Sequence, residues 1–133
     1  MSVTGLRAAV AVAALLLGAG VAWGHAFLER AEPRVGSTVK AAPAQVRVWF
    51  TEALVAAFST LEVVNQSGNR VDRGPAKVDA ASPALLQVPL KPLGPGIYRV
   101  KWRVLSVDTH VTEGDFTFRV AEDRKSTRLN SSH

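Results

Sequence analysis

Eleven residues constrain this chain more than any others: Gly96–Ser106, in which Tyr98, Val100, Trp102 and Val104 alternate with Ile97, Arg99, Lys101 and Arg103. A period of two puts successive side chains on opposite faces of extended backbone, so the run reads as a strand with one buried and one wet face. Such a strand cannot bury its apolar row alone. The rest of the chain supplies companions of the same kind and no long helical period. Gln45–Phe50 alternates with Val46, Val48 and Phe50 on one face and Gln45, Arg47 and Trp49 on the other; Trp49 implies that the second face is partly covered. Ala26–Arg30, Ser59–Asn65, Lys77–Asp79, Ala84–Leu90 and Gly114–Val120 are further strand candidates, the last with Phe116, Phe118 and Val120 in step. Thr51–Ala57 is irregular, with room for a short helical turn, and Val107–Glu113 reads as a loop.

Turn signals separate these runs. Gln66-Ser67-Gly68-Asn69 reads as a hairpin turn in which Gly68 supplies a positive φ, and Pro92, Gly94, Pro95 and Gly96 form another break. About seven short strands with regular turn signals describe an all-β two-sheet sandwich, with a small open barrel as the alternative. The Tyr98/Val100/Trp102/Val104 row is expected to pack against the Phe116/Phe118/Val120 row or its counterpart in the opposite sheet.

Both ends of the chain fall outside that fold. Met1–Arg7 carries one charge, Arg7; Ala8–Val21 is apolar; Ala22-Trp23-Gly24 places small residues at −3 and −1 of a cut before His25. This is the pattern of a secretory signal peptide, residues 1–24, and its apolar run is short for a spanning helix, which needs about 20 residues. A retained membrane anchor is the rival reading. At the other end, Arg124–His133 is polar and aperiodic and resembles a translated sequencing adapter or a natural disordered tail, so it is set aside. If that tail is foreign, the natural chain extends past Asp123, and a free or a membrane-tethered domain are both open.

The remaining domain, residues 25–123, holds twelve basic and eleven acidic residues, a net of +1 against +5 for the whole chain. No basic cluster survives, which argues against nucleic acid as a partner. Cysteine is absent, so an oxidising compartment is tolerated without any disulfide framework.

Two histidines belong to this domain. A cut before His25 would give that residue a free α-amine, with an ordinary pKa of about 7.7–8.0, able to close a chelate ring on a metal together with the imidazole. Asp108-Thr109-His110 follows the longest strand. In extended backbone residues two apart point the same way, so Asp108 and His110 are expected to offer a carboxylate and an imidazole to one ion. Two imidazoles, an amine and a carboxylate form a mixed nitrogen–oxygen set that suits Cu(II), and Zn(II) in a more tetrahedral arrangement. Met1 is the sole methionine and leaves with the leader, so no soft sulfur ligand remains for Cu(I). Asp-x-His taken alone is a weak signal; a capped, solvated loop would carry the same residues.

Three segments make the pattern more specific: His25 directly after the cut, APAQVRVWFTEAL at Ala42–Leu54, and GIYRVKWRVLSVDTHVTEGDFTFRV at Gly96–Val120. Together they resemble the CopC-type periplasmic copper-resistance and copper-trafficking proteins. The resemblance runs from His25 to about Ala121. It implies an immunoglobulin-like Greek-key β-sandwich or barrel, a location in the periplasm or on the cell-envelope exterior, and one Cu(II) ion held by His25, Asp108 and His110. It also implies an outer carboxylate at Glu52 that orients ligands; a plain solvated loop acid with no such role is the competing reading. Some relatives bind Cu(I) through a methionine-rich loop; the matching segment Asn65–Pro83 has neither Met nor His, so no such site is expected. A CopD-like inner-membrane copper transport protein is the implied partner. The expected role is that of a carrier, chaperone or buffer in copper homeostasis and resistance, not an enzyme. The alternatives are a copper monooxygenase with an N-terminal histidine chelate and a structural module with no metal.

Overall fold

The computed structural model describes residues 26–122; the expected leader, His25 and the residues from Asp123 onward lie outside the described residues. Eight strands follow in order: β1 Leu28–Glu32, β2 Thr38–Val39, β3 Gln45–Phe50, β4 Thr60–Val64, β5 Lys77–Val78, β6 Leu85–Pro89, β7 Gly96–Leu105 and β8 Val111–Val120. Among the described residues a single 3-10 turn, Ala56–Phe58, overlaps the end of the segment Thr51–Ala57 expected to be irregular. The strands form two four-stranded sheets, β1-β3-β6-β5 and β2-β8-β7-β4, and the chain passes repeatedly from one to the other. This is the expected immunoglobulin-like sandwich.

The core lies between the sheets and follows the alternation. Val46, Val48 and Phe50 of β3 meet Leu86 and Val88 of β6 in one sheet; Leu61 and Val63 of β4, Val100 and Val104 of β7 and Phe118 of β8 face them from the other. Each such aliphatic or aromatic side chain contributes about 1.5–3 kcal/mol relative to an exposed position. With no disulfide among the described residues, this burial must offset the chain entropy.

The expected pairing of the aromatic rows resolves one way. The Tyr98 and Phe118 rows are neighbours in one sheet, not opponents across the core. β7 and β8 pair antiparallel with Tyr98 opposite Phe118 and Val100 opposite Phe116, and the Tyr98 and Phe118 rings stack at 5.6 Å. Trp102 stands opposite Gly114, where an added Cβ would come within 2.6 Å of the indole, so only glycine lets this ring lie flat over β8. Its far edge meets Phe50 of the other sheet at 5.2 Å. On the outer face of β3, Arg30 and Arg47 cover Trp49 at 3.7 and 4.8 Å, the partial cover its position called for.

The largest departures from expectation fall at β1, β8 and β2. β1 starts at Leu28, two residues later than expected, and β8 starts at Val111, three residues earlier. β2 was not foreseen: two residues pairing parallel with β8 are too few to show alternation. The turn at 65–69 matches its expectation, with Gly68 at φ +83°. Just beyond it, buried Asp72 accepts the Val63 backbone N–H at 2.9 Å and two hydrogen bonds from Arg70. That bonding, reinforced by the carboxylate charge, raises the pKa of Arg70.

Candidate metal centre

The antiparallel ladder of β7 and β8 ends at the pair Leu105–Val111, which leaves five residues to reverse the chain. Ser106 N–H donates to the His110 carbonyl at 3.0 Å, and Thr109 N–H donates to the Ser106 carbonyl at 2.9 Å. Val107, Asp108 and Thr109 are thus a three-residue hairpin loop closed by a residue in the left-handed region, Thr109 at φ +72°. Asp108, Thr109 and His110 are all exposed.

This corrects the local argument made from sequence. Asp108 and His110 do not sit two apart on extended backbone. Their relative placement is set by the turn and by the left-handed residue between them. A left-handed conformation costs a non-glycine residue about 1–2 kcal/mol, and a β-branched residue is a true outlier there. The Thr109 hydroxyl donates to the carbonyl of Asp108. Ser106 adds a second oddity. It is fully buried, and its hydroxyl has no hydrogen-bond partner among the described residues.

Glu52 reaches the same end of the sandwich on a different segment. Ala53 carbonyl accepts the Val107 N–H at 3.0 Å, Leu54 bridges Ser106, and Val55 N–H donates to Leu105 carbonyl at 2.8 Å. The strap carrying half-buried Glu52 is therefore bonded, backbone to backbone, onto the base of the turn carrying Asp108 and His110.

The start of the described chain arrives between these two segments. Ala26 is completely buried, and its carbonyl accepts the Thr112 hydroxyl at 2.7 Å, two residues past His110. Phe27 N–H donates to the Thr51 hydroxyl at 2.9 Å, and Thr51 N–H returns to the Phe27 carbonyl at 2.9 Å. Ala26 is thereby pinned to the strand that follows the turn, and Phe27 to the residue before Glu52. His25 is joined directly to Ala26 but lies outside the described residues.

Three of the four residues singled out from the sequence, Glu52, Asp108 and His110, thus stand on neighbouring segments at one end of the sandwich. Among the described residues no group of three His, Cys, Asp or Glu stands close enough together to hold a metal ion. Sequence reasoning missed Thr51, Thr112, Ser106 and Thr109. The first two act through side-chain hydroxyls that bond to distant backbone groups and carry no motif, and the last two matter through burial and backbone conformation.

Comparison with known proteins shows the family of this chain. Residues 28–121 match the CopC domain. The chain is 35% identical over 116 residues to Protein YobA of Escherichia coli strain K12, covering 86% of this chain and 94% of that one. It is 36% identical over 117 residues to Copper resistance protein C of Xanthomonas campestris pv. juglandis, covering 84% and 91%. The crystal structure of CopC from Methylosinus trichosporium OB3b superposes with a TM-score of 0.69 at 35% identity, over 74% of this chain and 95% of that one. These matches span nearly all of the sandwich, including the turn and the strap; among the relatives are copper resistance proteins, not enzymes, and the chain belongs to the CopC domain family.

Proposed function

We propose that this chain is an exported carrier or buffer for copper(II), which takes up one cupric ion as cargo at the end of the sandwich where the Asp108–His110 turn meets the processed N-terminus. The observation that carries the reading is the pinning of Ala26 and Phe27. Thr112 and Thr51 hold the chain directly after His25 between the turn and the Glu52 strap. A cut before His25 would release an amine and an imidazole at that point.

The chemistry of the donors favours the cupric ion. Two imidazoles, one amine and the Asp108 carboxylate are borderline and hard ligands that tetragonal Cu(II) accepts, and Cu(II) leads the divalent first-row metals for such sets. The domain from His25 onward has no Cys and no Met, so it lacks the sulfur that Cu(I) prefers, and reduction is expected to weaken binding. Segment 65–83 contains no Met or His, which is why one ion per domain is proposed and no second, cuprous site. Glu52, half-buried on the strap, would act as an outer carboxylate that orients a ligand and balances charge. Leader removal places the working protein in the periplasm or on the exterior of the cell envelope, where a CopD-like inner-membrane copper transport protein is the proposed recipient.

The test is a competition titration against a Cu(II) chelator of known affinity, using protein exported and processed in a bacterial periplasm, with His25 verified as its first residue by mass spectrometry. One equivalent should bind, and a form that keeps a Met ahead of His25 should bind weaker by orders of magnitude, each tenfold being about 1.4 kcal/mol. Equal affinity of the two forms would refute the role given to the amine.

A further inference from the structure

The hairpin tip that carries Asp108 and His110 is built in an expensive way. The turn hydrogen bonds require a left-handed residue at position 109, where glycine or asparagine is the ordinary choice. The chain places a β-branched threonine there at φ +72°. The same tip rests on Ser106, whose buried hydroxyl has no hydrogen-bond partner among the described residues. Two features that are locally unfavourable among the described residues thus lie within four residues. Strain of this sort persists when the surroundings over-determine it, and it tends to mark positions where a fixed geometry is used.

We infer that Thr109 is a positioning residue: its left-handed, hydroxyl-locked backbone holds Asp108 and His110 in the spacing a cupric ion needs before the ion arrives. The inference rests on the Cu(II) reading above and deepens it. The physical argument compares what each residue would allow. Glycine at 109 is free to leave the left-handed region, so the two flanking residues would sample many relative placements. Threonine is held there, against the preference of its Cβ branch, by two bonds: its N–H on the Ser106 carbonyl, which glycine would keep, and its hydroxyl on the Asp108 carbonyl, which glycine would lose. Binding to a ligand pair already in place avoids the ordering cost that a mobile pair would add.

Three substitutions separate this from simple strain. Thr109→Gly relieves the conformation but frees the tip. Thr109→Asn also tolerates the left-handed region, with far less freedom than glycine. Ser106→Ala removes the unpartnered hydroxyl without touching the backbone at 109. The experiment measures two things on periplasm-processed protein beginning at His25: amide hydrogen exchange of residues 107–110 without metal, and the Cu(II) dissociation constant by chelator competition. The expected result for Thr109→Gly is exchange at least about tenfold faster and binding about tenfold or more weaker, with a melting temperature equal to or above the native value. Thr109→Asn should recover most of the affinity, and Ser106→Ala should bind as the native protein does. Native affinity and native exchange in Thr109→Gly would overturn the inference while leaving the Cu(II) reading standing. Failure of the native protein to bind Cu(II) would remove both, and the native arm of the same titration tells the two failures apart.

Discussion

The turns at 65–69 and 106–110 have the same hydrogen-bond pattern and opposite economies. In the first, Asn65 N–H donates to Asn69 carbonyl and Gly68 N–H to Asn65 carbonyl; in the second, Ser106 and Thr109 make the equivalent bonds to His110 and Ser106. Both need a left-handed residue at the fourth position. The first uses Gly68 at φ +83°, and its leading residue, Asn65, accepts two further backbone N–H bonds through its side chain, from Ser67 and Asn69. The second uses Thr109 at φ +72°, and its leading residue, Ser106, buries a hydroxyl with no partner among the described residues. The same backbone problem is solved once with the residues that fit it best and once with residues that fit it poorly. The difference teaches that the first turn is built for the fold, while the second carries features that the fold alone does not call for, as the proposed Cu(II) site would require.

That contrast is open to attack from both sides. On the folding side the largest effect belongs to Asp72, whose carboxylate accepts the buried Val63 N–H and anchors Arg70 just after the first turn. Asp72→Ala should lower stability by about 3 kcal/mol in urea unfolding, because it leaves that N–H unsatisfied and removes charge-assisted bonds, yet leave Cu(II) affinity unchanged. On the other side, His110→Ala should weaken Cu(II) binding by about a hundredfold, roughly 2.8 kcal/mol, with little change in melting temperature since the residue is exposed. A large stability loss from His110→Ala would mean that the second turn serves the fold after all.

Smaller substitutions sharpen the comparison. Gly68→Ala forces a Cβ into the left-handed region where no neighbour lies within 4 Å, so pure backbone strain of roughly 1 kcal/mol should appear in denaturant midpoint and nowhere else. Ser106→Ala should do the reverse, raising stability by up to about 1 kcal/mol by removing a buried hydroxyl that has no partner among the described residues. Calorimetry of the two variants side by side would break the contrast if the signs came out alike.

The fold was legible where alternation was long and both faces differed. Val46, Val48 and Phe50 and the Tyr98–Val104 row were read from period two alone, and Gly68 from its turn chemistry. β2 was illegible because two residues carry no period, and its partner lies about eighty positions away in β8. Val111–Glu113 read as loop because Thr112 and Glu113 are polar and the tight turn before them was not foreseen. The residues of the candidate centre were legible as residue types, and the resemblance to CopC-type proteins brought them together. The geometry was not legible. The sequence suggested strand alternation for Asp108 and His110, whereas a left-handed threonine sets their placement. No propensity points to Thr109 in that conformation, since threonine is among the residues least suited to it. Thr51 and Thr112, which pin the chain after His25, are ordinary polar strand-end residues until the bonds of their hydroxyls to the Phe27 N–H and the Ala26 carbonyl are seen.

The account stands or falls with electron paramagnetic resonance of processed protein, beginning at His25, with one equivalent of Cu(II). It predicts a single tetragonal signal with hyperfine structure from at least two nitrogen ligands, altered when His110 alone is replaced and abolished when His25 and His110 are both replaced. A spectrum that survives the double replacement unchanged would contradict it.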